Sequence, residues 1–551
     1  MAANLTKSSI VMFGGTLVSR ILGFVRSPLL LGAAIGINYP AADAFDVANR
    51  LPNIIYMLIV GGVVNAVLVP AIVRATKESK DGGAAFINKL VTIAVVCLGV
   101  ITALLTLAAP LIVKMFAATM EPQWYQLTVV FAFWCIPQVF FYGLYTVLGQ
   151  ILNARENFGP YMWAPALNNI VAITGLAAML AIYGGAYEGT ATDVSIWTAD
   201  RVALLGGSAT AGIASQALIL LWPIRRLGIR LRPDFAWRGA GLGATAKASW
   251  WILLTMATSM IPTALISNLA ADAKARAITQ DLDVLGVAGN AAYSAAYAVY
   301  SLPISLIVVS IVTAMFTRLA THAADGKVEQ VRATTSLTLR VIGSLMFLSS
   351  AGLVVLSLPA VRLLAASVSM TEVRAIAWVL TTMGLGLVGV GGMNVLTRVY
   401  YAYEDTRGAF LINLPVQGFG ILLYLGCSQL PAQWVVAGIG VCMAITNFTA
   451  MFAMMWRLSK RTGGMDSARV FGTYLKLLII SLLTIAIGFA LLRAFGPIGA
   501  DLTLSGALAR CLAVGPVMVL TYVGLMHLGR MEETAYLLKP VKMVAGKFRR
   551  S

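Results

Sequence analysis

Apolar runs of roughly 20 residues recur along the whole chain, separated by short polar segments. Each run is long enough to cross about 30 Å of hydrocarbon as a helix. A window of about 19 residues predicts about fourteen spans, with approximate starts at Ser8, Ala42, Phe86, Tyr125, Gly159, Val202, Thr245, Gly286, Ser336, Glu372, Ala409, Trp434, Val470 and Leu502. The run after Lys7 carries Arg20 and Arg26 and is too long for the core of a secretory signal, so a retained first helix is expected. The expected class is an all-α polytopic membrane protein.

Loop charges test the count, because a wrong number of spans would scramble the alternation of Lys and Arg across the membrane. One set of loops holds Arg74, Lys77 and Lys80; Arg155; Arg225, Arg226, Arg230, Arg232 and Arg238; Arg318, Lys327 and Arg332; Arg398 and Arg407; and Arg457, Lys460, Arg461 and Arg469. These loops are expected in the cytoplasm. The intervening loops Gly36 to Ala41, Ala186 to Asp200 and Cys427 to Gln433 are poor in Lys and Arg or biased toward acid, and are expected outside. An even count puts both termini in the cytoplasm of a bacterial plasma membrane protein, where the tail Lys539, Lys542, Lys547, Arg549 and Arg550 can meet anionic lipid.

Composition agrees: of 551 residues 59% are hydrophobic and 11% charged, where soluble domains carry about 25% charged residues. The net charge of +18 is spread over short clusters and not gathered in one patch, which argues against a nucleic-acid partner. The five cysteines lie in apolar stretches without a C-x-x-C pair, so neither a disulfide framework nor a metal site is expected. Gly384, Gly386 and Gly389 match G-x-G-x-x-G literally, yet they lie inside an apolar span with no preceding strand, and close helix packing is the expected role. His322 and His527 offer no catalytic pair, and no P-loop or G-x-S-x-G occurs. No enzyme and no bound cofactor are expected; sodium or proton coupling, or the membrane potential, would supply the energy.

A repeat is visible at a spacing of about 250 residues. Arg50-Leu51-Pro52 is echoed by Ser301-Leu302-Pro303, and Asn153-Ala154-Arg155-Glu156-Asn157, followed by Gly159 and Pro165, by Tyr401-Ala402-Tyr403-Glu404-Asp405, followed by Gly408 and Pro415. Six spans separate the partners, so the repeats run parallel. The expected organisation is a six-helix lobe over 1–228, a second over 229–462 in parallel pseudo-two-fold repeat around a central cavity, two further helices over 463–530 and a basic tail over 531–551.

Ionisable groups inside spans are costly and therefore candidate functional residues. At 1.5 Å per residue from Ser8, Arg20 lies about 18 Å and Arg26 about 27 Å into the first span. In the second span Asp43, Asp46 and Arg50 fall at i, i+3 and i+7, on one face near the outer end, where Asp46 and Arg50 can pair. Two arginines on an amphipathic first helix suit a water-filled cavity and an anionic substrate, because guanidinium groups bind phosphate and carboxylate bidentately. Glu404, Asp405 and Asn413 could hold an ion, but they fall at a short turn where Asp405 can simply cap a helix.

The run Val18-Ser19-Arg20-Ile21-Leu22-Gly23-Phe24-Val25-Arg26, the stretch Ala42-Asp43-Ala44-Phe45 leading to Arg50-Leu51-Pro52-Asn53, and Tyr403-Glu404-Asp405-Thr406-Arg407 resemble the MurJ (MviN) lipid II flippases. The resemblance covers essentially the whole chain. It implies the multidrug/oligosaccharidyl-lipid/polysaccharide (MOP) exporter fold and lipid II, an undecaprenyl-diphosphate-linked peptidoglycan precursor, as substrate, with cell-wall synthesis proteins as possible partners. By motif position Ser19, Arg20 and Arg26 match the family's cavity residues, and Asp43, with Asp46 beside it, its outer gate. Two departures matter: Tyr56 and Met57, and again Tyr297 and Ala298, stand where well-known members carry arginine. Arg50 keeps a charge where relatives often have lysine, and Tyr293, Tyr297 and Tyr300 are the expected substitute hydroxyl donors.

Overall fold

The computed structural model describes residues 14–63, 83–186, 193–236, 246–496 and 502–536. Lys7, Ser8, Arg74, Lys77, Lys80, Arg238 and the tail lysines and arginines lie outside the described residues. Regular structure among the described residues is helical. In chain order the helices used below are α1 (Gly14–Ile35), α2 (Pro40–Val63), α3 (Ala84–Leu107), α4 (Ala109–Ala117), α5 (Pro122–Cys135), α6 (Gln138–Ala154), α7 (Phe158–Tyr183), α8 (Ala199–Leu218), α9 (Ala246–Thr279), α10 (Asn290–Pro303), α11 (Val309–Ala324), α12 (Val328–Leu364), α13 (Met370–Gly384), α14 (Leu387–Ala402), α15 (Thr406–Cys427), α16 (Ala432–Thr462), α17 (Ser467–Ala494) and α18 (Leu504–Leu528). Twelve helical stretches are long and apolar enough to cross a membrane, and α13 with α14, bent by 47°, makes a thirteenth. The more charged α2 occupies the place of the expected second span. The chain is an all-α polytopic membrane protein.

The interruptions have local causes. Between α5 and α6 the break falls at Ile136-Pro137, where proline has no N–H to continue the ladder. Val25–Leu31 in α1 is a wide π turn spanning Pro28, and Ile304–Val308 is another, following Pro303. The start of α13 is fixed by a reciprocal cap in which Ser369 and Glu372 satisfy each other's backbone N–H groups.

The chain divides into two compact units, one of residues 1–285 with 289–291, the other of 286–288 with 292–551. In the first unit α2 presents Ala41, Ala44 and Ala48 to its neighbours, and Phe45, Phe131 and Trp197 meet edge to face at 5.4 and 5.6 Å. Small residues let the backbones approach, so dispersion and ring contacts hold a core that has little hydrophobic driving force in lipid. In the second unit the glycine run has the packing role expected of it. A Cβ on Gly389 would lie 2.8 Å from Phe448 N, one on Gly386 3.0 Å from Ala444 Cα, and one on Gly384 3.0 Å from Leu353 Cβ.

The two turns of the repeat share one backbone geometry. Glu156 and Glu404 both adopt left-handed φ values, 57° and 56°. In each case the next residue donates back to the last turn of the preceding helix, Asn157 N to Leu152 O and Asp405 N to Tyr400 O, both at 2.9 Å. The broken pairs α5/α6 and α13/α14 recur at a similar offset.

Candidate functional site

The first unit holds a polar group inside its apolar helices. Arg26 Nη1 donates to Asn169 Oδ1 at 3.4 Å, and Asn169 Nδ2 donates to Ser19 O at 2.8 Å and to Ser19 Oγ at 3.3 Å. The two ends of the first-span motif are thus tied to one amide of α7. Arg20, Arg26 and Ser19 are half-buried. Nearby, Tyr56 stacks on Tyr142 with centroids 5.2 Å apart and shares a hydrogen bond with Thr146. The ring and hydroxyl of Tyr56 are thus already engaged, while Met57 is exposed.

A second polar group lies in the same unit. Asp43 is 2% exposed, and its Oδ1 accepts from the backbone N–H of Ala291 at 2.7 Å. A Cβ on Gly289 would fall 1.9 Å from Asp43 Oδ2, so only glycine admits the carboxylate there. Arg50 Nη2 donates to Asn290 Oδ1 at 3.0 Å and to Ser267 Oγ at 3.2 Å; Ser267 Oγ donates in turn to Asn290 Oδ1 at 2.8 Å. Lys274, 4% exposed, donates to Asn38 O and, at 2.6 Å, to Val284 O. Asn38 Nδ2 reaches Leu285 O at 2.8 Å. The segment before α10 is held by side chains of α2, α9 and the α1–α2 loop. Asp46 Oδ2 lies 3.8 Å from Arg50 Nη1 on the same helix face, the pairing allowed by their spacing.

The remaining candidates lie in the second unit. Tyr293, Tyr297 and Tyr300 stack in sequence, with centroids 6.1 and 5.7 Å apart. Tyr300 is 2% exposed and its hydroxyl accepts from Asn447 Nδ2 at 3.5 Å, whereas Tyr297 is 44% exposed. Tyr293 OH donates to Met443 Sδ at 3.4 Å. Asp405 caps α15 by accepting from Gly408 N at 2.7 Å and pairs with Arg461 at 2.8 Å; Asn413 donates to Ala409 O at 3.1 Å. Both carboxylate oxygens of Asp405 are thus occupied by protein groups. No cluster of three or more His, Cys, Asp or Glu occurs among the described residues.

A family model described as Lipid II flippase MurJ matches residues 32–498. The chain belongs to the MurJ family. Relatives include the probable lipid II flippase MurJ of Rhizobium tropici, 25% identical with 83% of this chain and 84% of that one covered. The lipid II flippase MurJ of Burkholderia cenocepacia is 24% identical, with 84% of each covered. A solved structure titled "Lipid II flippase MurJ, inward closed conformation" shares the fold at TM-score 0.68 and 18% identity, covering 97% of this chain and 99% of that one. An inward-facing multidrug resistance MATE family transporter of the MOP superfamily shares it at TM-score 0.59 and 13% identity, covering 83% and 99%.

Within this MurJ-family chain, Lys274, Ser267, Asn290 and Asn169 join the residues that the motifs single out. Lys274 carried a sequence signal, a lone ammonium between apolar turns of α9, but Asp272 and Arg276 beside it make the stretch look like a solvated helix end. Asn290, Ser267 and Asn169 carried none, because an amide or hydroxyl within an apolar span is common.

Proposed function

We propose that the chain carries lipid II from the cytoplasmic to the outer leaflet of the bacterial plasma membrane by alternating access. Arg26 carries the reading. It is a guanidinium inside the first span, held by Asn169 beside Ser19 in a chain of the MurJ family. Such a group suits a diphosphate, since planar donors match phosphate oxygens and a half-buried site strengthens each bond. Arg20 completes the cationic face of α1.

The alternation of basic loops supports an orientation with both termini in the cytoplasm. Arg226 over the Trp222 ring and Lys460 over the Trp456 ring, each at 3.7 Å, fit helix ends anchored at that interface. With this orientation each negative charge moved outward gains about 2.3 kcal/mol per 100 mV, so the membrane potential drives a diphosphate in the required direction. Asp405, engaged as a cap and with Arg461, serves the turn and not an ion. Lipid II and the surrounding lipid are the partners, and cell-wall synthesis proteins receive the product.

The test is depletion of the host flippase in a bacterium expressing this chain, with lipid II exposed on the outer leaflet as the readout. Restored growth and exposure are expected. Membrane-inserted protein that leaves lipid II inside would overturn the assignment.

A further inference from the structure

The second unit contains a cavity of about 420 Å³ bounded by α12, α13 and α17. This is within the range of small-ligand sites, about 300–1,000 Å³. Its wall is aliphatic and aromatic, with Val355, Leu358, Phe489 and Leu492 among the lining, and Trp378, Arg374 and Arg493 complete it. The chain path puts these residues at the end of the unit opposite the basic loops: α12 leaves Arg332 behind and ends at Leu364, α13 starts at Met370, and α17 ends at Ala494.

Arginines are scarce at that end among the described residues of the unit. Arg362 donates to Leu502 O and Val368 O at 2.9 Å, and Arg510 to Phe495 O at 3.1 Å, so both tie loops together. Arg374 and Arg493 line the cavity and are exposed. Trp378, one turn beyond Arg374, meets Trp434 edge to face at 5.6 Å, and both indoles are exposed. Paired exposed tryptophans are enriched at the level where headgroups meet hydrocarbon.

We infer that this cavity binds one anionic phospholipid of the outer leaflet, its phosphodiester on Arg374 and Arg493 and an acyl chain along Val355, Leu358 and Phe489. The charge complementarity is specific, because two guanidinium groups above an apolar slot match a phosphodiester above a hydrocarbon chain and leave a zwitterionic headgroup with an unmatched ammonium. Such a lipid would brace α12, α13 and α17 together.

The test is native mass spectrometry of the full chain in detergent, titrated with phosphatidylglycerol, phosphatidylcholine or undecaprenyl diphosphate. Wild type should retain one phosphatidylglycerol in preference to phosphatidylcholine. The pair Arg374→Gln and Arg493→Gln should lower that retention by about thirtyfold, and Arg374→Lys with Arg493→Lys should restore most of it. Leu358→Trp, which fills the slot and keeps both charges, should also lose the adduct. Equal retention of phosphatidylglycerol and phosphatidylcholine, or a phosphatidylglycerol adduct unchanged in the glutamine pair, would overturn the inference. Retention of undecaprenyl diphosphate in place of phosphatidylglycerol, sensitive to the same substitutions, would assign the slot to the transported lipid and overturn it equally.

Discussion

Asp43 accepts a hydrogen bond from the backbone N–H of Ala291 at 2.7 Å, with its other oxygen pressed against Gly289. The carboxylate thereby fixes the start of α10 from a position 248 residues earlier in the chain. Gly289→Ala and Asp43→Ala should each cost about 1–3 kcal/mol, the first through a clash and the second through an orphaned N–H. Together they should cost less than the sum, since removing the carboxylate makes room for the methyl group. Thermal unfolding of the purified variants as a double-mutant cycle measures this, and simple additivity would count against the contact.

Lys274→Met should destabilise the first unit by about 1–3 kcal/mol, because methionine fills the space but leaves the carbonyls of Asn38 and Val284 without their donor. Limited proteolysis between α9 and α10 reports the loosening. Cleavage no faster than in wild type would show that the ammonium does not hold this segment.

Arg26→Ala should lower lipid II exposure by about 10–100-fold, the loss expected for one charge-assisted bond to substrate, with membrane expression near wild type. Arg20→Ala should do likewise, and Arg20→Lys should recover only part, since an ammonium cannot bind bidentately. Asn169→Ala should give a milder defect that leaves the charge in place but unoriented. Full growth rescue by Arg26→Ala or Arg20→Ala would refute a substrate role for that arginine.

Asp405→Asn should leave transport intact. Asparagine still caps α15, and the half-exposed pair with Arg461 contributes no more than about 1 kcal/mol. Correspondingly, flipping should stop when the potential is collapsed at constant sodium and continue when sodium is removed at constant potential. The reverse pattern would assign the driving force to sodium.

The spans were legible because lipid imposes a length and a polarity on every crossing. The capping role of Asp405 and the packing role of Gly384, Gly386 and Gly389 were legible from local chemistry. The Asp43 contact was not, since its donor is a backbone N–H that nearly every residue possesses. Nor was the difference between Tyr297 and Tyr300. Their spacing describes one stripe of a helix, but burial depends on which neighbour that stripe meets, and only Tyr300 meets Asn447.

Glu156 and Glu404 occupy the same left-handed turn, 57° and 56° in φ. A side chain in that conformation costs roughly 1–2 kcal/mol, which glycine would avoid and asparagine would lessen. The same turn recurs at Asp281 and Arg530, with φ values of 53° and 50°, so the strain alone does not mark the repeat; what the two halves share is a glutamate in that turn at the same offset along the chain, as copying of one half would leave it.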